Sequence, residues 1–341
     1  MRGGGEPVSY PVFPAADAPA GPERPDVLGY LFNNGGLSNQ KMALVGLLLT
    51  AAAKSFPITL PYAHVKDQRA AREMLTRFEH VFDIAALRAF TTRYGIQIEE
   101  GTPSGERGGW PFFFAFTEFI QIASLPAVTR MALEGLCALR PRLLSDPPFA
   151  ALVRRVFTEA GIDTVIQLRI ERDWQRHASN LGPDIRGEDD VGIGFEAILR
   201  RVVNTFPDLR IAYATADERS MPLSKEDVRA VALDRFGLRL VWKSDLADMT
   251  AFNPLEQSMI DFEIARRAPR FIGQSFSTFA NLLCLEALAE RRRPVRGHFI
   301  YNAPGDFVRE RLDNGLTSSS ALALAANWTD GVWESGQGVG A

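Results

Sequence analysis

Apolar residues fall along this chain in two alternating kinds of run, some of strand length and some with helical spacing. Asp26-Val-Leu-Gly-Tyr-Leu-Phe32 is an apolar run of strand length, closed by the turn cluster Asn33-Asn-Gly-Gly36. A helical pattern follows from Ser38 to near Lys54, with Ser38 placed as an N-cap. Phe56–Leu60 then predicts a second short strand before Pro61. Strand, glycine turn, helix and strand in this order open a parallel α/β sheet. Helices are expected around Asp67–Phe78 and Leu125–Ala138, and an exposed loop over Glu99–Trp110.

The proline-rich stretch Pro141–Pro148 interrupts the pattern, and after a helix near Phe149–Ala160 the alternation restarts. Strands are predicted over Asp163–Ile170, Leu209–Ala214, Leu238–Trp242, Arg270–Gly273 and Gly297–Tyr301. Helices between them are predicted over Gly194–Asn204, Lys225–Arg235, Leu255–Arg266 and Phe276–Arg291. Two successive α/β units of similar size predict two doubly wound domains facing a cleft. The expected division is a flexible leader over 1–25, a first domain over 26–148, a second over 149–316 and a weakly ordered tail over 317–341.

Composition narrows the function classes. With 46% hydrophobic and 23% charged residues the chain is of globular type, which excludes a disordered or coiled-coil chain. Its 341 residues exceed the ~250–300 at which single cores stop growing, in keeping with two domains. A formal charge of −3 excludes a general nucleic-acid binder but leaves room for a local basic pocket. Two cysteines, Cys137 and Cys284, exclude a disulfide-stapled scaffold and a structural zinc site, and four scattered histidines make no metal cluster. Met1–Pro25 has no apolar core of secretory type, and Met42–Ala53 is too short to cross a bilayer. A soluble, cytoplasmic protein in a reducing compartment is expected.

Ligands of open α/β sheets gather at the carboxyl ends of strands, and three segments place polar groups there. Gly35-Gly-Leu-Ser-Asn-Gln40 combines glycines that allow close backbone approach with the amides of Asn39 and Gln40 in a first helical turn. A plain strand–helix turn explains the segment equally well. Leu168-Arg-Ile-Glu-Arg-Asp-Trp174, with His177 one turn later, sets Arg169 behind an apolar strand. The planar fork of Arg169 suits a phosphate, and Asp173 is close enough to orient it; a structural Arg169–Asp173 ion pair is the competing reading. Phe271-Ile-Gly-Gln-Ser-Phe-Ser-Thr-Phe279 passes from strand to helix, where free N–H groups and the hydroxyls of Ser277 and Thr278 form an anion site, or where Ser275 or Ser277 simply caps the helix.

Other patterns carry less. Gly273-Gln-Ser-Phe-Ser277 approaches a nucleophile elbow, but Ser277 stands where the turn needs glycine. Gly192-Ile-Gly-Phe-Glu-Ala197 follows the acidic Glu188-Asp-Asp190 rather than a strand, so its match to a dinucleotide fingerprint is formal. Glu188–Asp190 reads as a solvated loop, and Arg291-Arg-Arg293 as a helix end complementing the dipole. Aromatic-rich Trp110-Pro-Phe-Phe-Phe-Ala-Phe116 fits core better than an acceptor-binding wall.

Taken in order, these segments resemble the GDP-fucose protein O-fucosyltransferase superfamily, which includes related α1,6-fucosyltransferases. Gly35–Gln40 with Ile58-Thr-Leu-Pro61 resembles the N-terminal glycine–asparagine motif, and Phe78-Glu-His-Val-Phe-Asp83 the segment after it. Leu168–Trp174 is similar to the His-x-Arg motif with its downstream Asp-Trp, and Tyr213-Ala-Thr-Ala-Asp217 to the alanine–threonine–aspartate strand end. Asp261 and then Ala268–Phe279 resemble the C-terminal nucleotide-binding segment. The resemblance implies a GT-B fold of two Rossmann-like domains and an inverting transfer of fucose from GDP-fucose to a hydroxyl, without a divalent metal or other cofactor. It carries the essential arginine to Arg169 and the asparagine to Asn39. Donor contacts fall to Gly35, Gly36, Gln167, Asp217, Asp261, Ser277, Thr278 and Phe279. The histidine of the motif is Gln167 here. Candidates for a general base are Glu171, Asp173 or a group brought by the acceptor. Expected partners are the GDP-sugar donor and a protein, glycan or small-molecule acceptor. Another nucleotide-sugar transferase, or a catalytically silent nucleotide- or glycan-binding module on the same fold, is the alternative.

Overall fold

The computed structural model describes residues 27–65, 74–103, 108–121, 126–180, 189–291 and 296–311. The chain divides into two compact units: the first combines the residues up to Asn34 with Asn39–His64 and Leu75–Arg140, and the second combines Gly35–Ser38, Val65–Met74 and Pro141 onward.

The first unit is organised by helix α1 (Leu37–Lys54), which is buried on nearly every side through Met42, Leu44, Val45, Leu47, Leu48 and Leu49. A helix this apolar all round has to be enclosed by other elements. It leads to β1 (Ile58–Thr59) and β2 (Tyr62–Val65), followed by β3 (Met74–Arg77), the short α2 (Phe78–Val81), α3 (Ile84–Arg93), β4 (Ile98–Glu99), α4 (Trp110–Gln121) and α5 (Pro126–Ala138). Ile58 pairs in parallel with Ile98 on one side and bridges Leu28 in parallel on the other, while Phe32 bridges Tyr62. The apolar run read as a first strand therefore joins each of two small sheets, β1–β4 and β2–β3, through one isolated bridge.

Two expectations differ here. Of the helix expected over 67–78, residues 74–77 form β3 in a two-stranded sheet with β2, and helix begins only at Phe78; residues 66–73 lie outside the described residues. Pairing with β2 gives those backbone groups the partners that a helix would otherwise supply. The aromatic run from Trp110 is the start of α4, with Phe116 fully buried and Phe114 57% exposed, so it is only partly core.

The second unit begins with α6 (Pro147–Arg154), which continues into a π turn over Arg155–Glu159. It continues through β5 (Thr164–Gln167), α7 (Arg172–Asn180), α8 (Phe195–Thr205), β6 (Ile211–Thr215), α9 (Lys225–Phe236), β7 (Arg239–Val241) and the short α10 (Lys243–Leu246). Next come α11 (Pro254–Arg267), β8 (Arg270–Gly273), α12 (Thr278–Arg291), β9 (His298–Ile300) and β10 (Arg309–Glu310). The six strands form one sheet in the order β10-β9-β8-β5-β6-β7, parallel except for the antiparallel β10–β9 edge. Local signals set the helix ends: Asn253 and Glu256 form a capping box on α11, Ser224 caps α9, and Gly237 ends α9 at φ 64°. The core under the sheet draws on Ile166, Ile198, Leu199, Val202, Leu240 and Trp242. The mixed α/β class expected from the alternation is the class observed.

Strand order fixes where a ligand can enter. From β5 the chain winds outward through β6 and β7, and from β8 it winds the other way through β9. The two directions part between β5 and β8, whose residues pair in register as Val165 with Phe271 and Ile166 with Ile272. A crevice forms at the carboxyl ends of strands where the winding reverses.

Helix packing in the first unit turns on one glycine that the pattern did not single out. A Cβ on Gly46 of α1 would lie 1.8 Å from the carbonyl oxygen of Phe112 and 3.0 Å from the amide nitrogen of Phe116. Both neighbours are backbone of α4, so neither can yield without shifting the helix. Gly46→Ala should lower stability by about 3 kcal/mol, the upper end for an overpacked core, read as a lower urea midpoint; an unchanged midpoint would refute this packing.

Candidate functional site

The carboxyl ends of β5 and β8 carry the polar residues that the strand-end rule singled out. Gln167 closes β5 and is buried; its Nε2 donates to Oγ of Ser277, at 2.9 Å, just ahead of α12. Because Ser277 Oγ accepts that bond, its own proton remains to be donated elsewhere. The first intrahelical bond of α12 is Asn281 N–H to the Ser277 carbonyl, so the amides of Thr278, Phe279 and Ala280 have no partner one turn earlier. Ser277, Thr278 and these amides together make a donor-rich helix start facing the β5 end. Phe279 contributes only its backbone there, because its ring packs at 5.2 Å from Phe262 and 6.2 Å from Phe271.

Arg169 lies two residues beyond β5. Its backbone N–H donates to Oη of the buried Tyr301 at 3.3 Å, and its guanidinium carbon sits 4.6 Å from the Trp174 ring centroid. Nη1 lies 3.3 Å from Oε1 of Glu171, whose side chain is 3% exposed against 25% for Arg169. The same Glu171 oxygen accepts the backbone N–H of Asp217 at 3.2 Å, linking the β5 and β6 ends. The Asp217 carboxylate turns to its own loop, accepting the Arg219 N–H at 3.2 Å. Burial pushes the Tyr301 phenol well above its ordinary range, so it stays a neutral hydroxyl. The side chain of Asp173 lies outside the described residues, and so does that of His177.

Three buried polar atoms around this strand end have no hydrogen-bond partner among the described residues: Gln167 Oε1, Arg169 Nε and Gln274 Oε1. Buried polar atoms are rarely left unmade, so such a cluster marks a place where a ligand or water completes the bonding.

Asp261 has a different surrounding from the open donor site expected of it. It is buried on α11, where Oδ1 accepts the Tyr213 hydroxyl at 2.8 Å and Oδ2 the Lys243 ammonium at 2.7 Å. Lys243 also donates to the Ala216 carbonyl at 3.1 Å. Burial pushes the Asp261 carboxyl up, against the pull of Lys243 and Tyr213. Burial likewise opposes the Lys243 charge, but the carboxylates of Asp261 and Glu218 overcome it and hold the ammonium above its ordinary value. Tyr213 is driven well above its usual range by burial and by Asp261. Both Asp261 oxygens are thus engaged inside the unit.

Residues that motif reading passed over shape the β8 side. Ser275 donates from Oγ to Asp189 Oδ2 at 2.6 Å and accepts there from Asn302 Nδ2 at 2.8 Å, while its amide donates to Asn302 Oδ1 at 3.0 Å. Gln274 and Trp174 both donate to the Val191 carbonyl, at 2.8 and 3.2 Å. Asp189 is therefore half-buried and tied to Ser275 while Asp190 is exposed, Glu188 lies outside the described residues, and Ser275 is a fully buried anchor rather than a nucleophile. Tyr301 and Asn302 immediately follow β9, and the strand-end rule applied to that strand would have found them.

In the first unit, Gln40 spends its side chain on the His64 backbone, donating from Nε2 to the carbonyl and accepting the N–H at Oε1, both at 2.9 Å. Asn39, beside it, keeps a buried Oδ1 with no hydrogen-bond partner among the described residues. Of the turn glycines, Gly36 is exposed, has no left-handed φ, and has open space where a Cβ would stand. Nothing among the described residues demands glycine at that position, which belongs to the second unit. Among the described residues no group of three or more His, Cys, Asp or Glu is placed to hold a metal ion, and no helix is long and apolar enough to cross a membrane.

The Lys243–Asp261 pair yields a stability test. Lys243→Met leaves a buried carboxylate without its cation and should cost about 3–5 kcal/mol. Adding Asp261→Leu to that variant should recover most of the loss in urea unfolding; a double variant as unstable as the single one would contradict the pairing.

No family model matches the chain. Over 134 residues it is 30% identical to O-fucosyltransferase 23 of Arabidopsis thaliana, a stretch that makes up 38% of this chain and 30% of that protein. The chain thus matches less than a third of the length of that curated relative. Among solved structures, POFUT1 in its apo form aligns at a TM-score of 0.49 with 13% identity, covering 82% of this chain and 99% of that one. POFUT1 in complex with GDP-fucose aligns at a TM-score of 0.48 with 12% identity, over 78% of this chain and 95% of that one. An Arabidopsis thaliana FUT1 mutant in complex with GDP aligns at 0.39 with 11% identity, over 81% and 71%. Over that stretch the chain is similar to O-fucosyltransferase 23.

Proposed function

We propose that this chain is an inverting glycosyltransferase of GT-B type that moves fucose from GDP-fucose to a hydroxyl acceptor, without a divalent metal. One observation carries the reading. At the β5–β8 switch point Arg169 and the donor-rich start of α12 lie at neighbouring strand ends, joined by the Gln167–Ser277 hydrogen bond. Guanidinium and helix-start amides are the groups that hold a diphosphate. The sequence similarity to O-fucosyltransferase 23 supports fucose as the transferred sugar.

In the proposed reaction the acceptor oxygen bonds to the anomeric carbon as the bond from that carbon to the β-phosphate oxygen breaks. The electron pair of the broken bond goes to the departing GDP, where negative charge grows. Arg169, the Ser277 and Thr278 hydroxyls and the first amides of α12 stabilise that charge, a task for which preorganised donors are effective. The resemblance gives Asn39 the task of orienting the acceptor hydroxyl or the leaving oxygen. Asp217 and the Asp261 network shape the nucleotide side. The acceptor's proton passes to Asp173 or to a base carried by the acceptor, since Glu171 is buried and engaged. A protein, glycan or small-molecule acceptor fits this scheme, and a cytoplasmic setting is proposed with it.

Calorimetric titration with GDP, GDP-fucose and UDP-sugars tests the reading. The guanine nucleotides should bind and the uridine ones should not. Arg169→Ala should weaken GDP about ten- to hundredfold, as expected for loss of a charged hydrogen bond, and abolish GDP release from GDP-fucose in an acceptor screen while circular dichroism stays unchanged. Near-normal turnover in that variant would refute the role of Arg169. GDP binding by the unaltered chain without sugar release to any acceptor would make it a silent binding module.

A further inference from the structure

We infer that Glu171 is a positioning residue that presents Arg169 to a diphosphate, and that it does not take the acceptor's proton. The inference rests on the donor reading above and adds a residue to it.

Three elements converge on Arg169. Tyr301, after β9, accepts its backbone N–H at 3.3 Å; Trp174, on α7, backs the guanidinium at 4.6 Å; and Glu171 stands 3.3 Å from Nη1. Glu171 is itself fixed from a third side, because the same Oε1 accepts the Asp217 N–H at 3.2 Å just past β6. A carboxylate anchored to the neighbouring strand end thus sets the plane of the fork. An arginine side chain carries considerable rotamer entropy, and a fork already aligned loses less of it on meeting a ligand.

Two other roles are weaker. A general base has to come within hydrogen-bond reach of the hydroxyl it deprotonates, whereas Glu171 is 3% exposed and one of its oxygens already serves an amide and a guanidinium. A purely electrostatic role would have the wrong sign, since its charge repels a phosphate. That repulsion acts at a site where Arg169 is a quarter exposed and is therefore screened. Alignment governs whether the fork makes both of its charge-assisted contacts.

The test compares GDP with GMP, which differ by the β-phosphate, in calorimetric titrations of the full chain. Glu171→Gln keeps an oxygen for the Asp217 N–H and removes the charge facing Arg169. It should reduce the preference for GDP over GMP at least about tenfold, the loss of one charge-assisted contact, with GMP affinity little changed. Combining it with Arg169→Ala should add nothing to the loss from Arg169→Ala alone, because Glu171 acts through Arg169. Glu171→Asp, which keeps the charge but withdraws it by one methylene, should fall between wild type and Glu171→Gln, and it stands in should the latter not fold. An unchanged or greater GDP preference, additive losses in the double variant, or intact GDP binding with transfer lost would each overturn the inference while leaving the donor reading in place. A folded wild-type chain that binds no GDP would overturn the donor reading and this inference with it.

Discussion

A parallel strand paired on both sides has no edge along which the chain can turn back, so each crossover must leave over the sheet face and return beside it. In the second unit β5 is such a strand, held by β6 on one side and β8 on the other. The crossovers diverge from it in opposite directions, and the tops of β5 and β8 are left side by side. Most of the candidate chemistry in this unit follows from that arrangement. Gln167 and Arg169 lie at one top and Gly273–Ser277 at the other, and the Gln167–Ser277 hydrogen bond spans residues 110 positions apart in the chain.

Polar groups at this edge of the sheet fall into two sets that behave differently. One set is closed. Lys243, Tyr213 and Asp261 satisfy one another, as do Ser275, Asn302 and Asp189. Taking charged groups out of water is expensive, so such clusters persist only with their bonding complete. The other set is open, with Gln167 Oε1, Arg169 Nε and Gln274 Oε1 unmatched among the described residues. Closed clusters hold the strand ends in place, and the open one is where an added ligand finds unmet donors and acceptors.

This division also explains which candidates changed character. Asp261 and Phe279 were attractive because they sit in a segment resembling a nucleotide site. One proved to be half of an internal ion pair, and the ring of the other joins the core. Gln40 similarly spends its amide on the His64 backbone. In each case a polar or aromatic residue at a plausible position found a partner within its own unit, and only packing decides whether such a partner is near. Residues 74–77, expected to be helical, form a strand for a related reason, because pairing with β2 supplied their backbone partners.

Element order was legible from residues alone because period and punctuation are local. Strand alternation, the cap at Ser224, the capping box at Asn253 and the glycine stop at Gly237 each act within a few positions, and the α/β class follows from them. The same local rule, polar residues directly after an apolar strand, pointed to Arg169 and Ser277 without any knowledge of the sheet. Sheet order lay beyond that reach, because it depends on which strands pair across tens of residues. It was the tertiary structure that seated Glu171 against the Asp217 amide, 46 positions away, and set Tyr301 under the Arg169 backbone, 132 positions away. Local physics named the candidate residues. Only the folded sheet, by fixing their distances and burial, separated those whose bonding is closed within their unit from those with polar atoms left open.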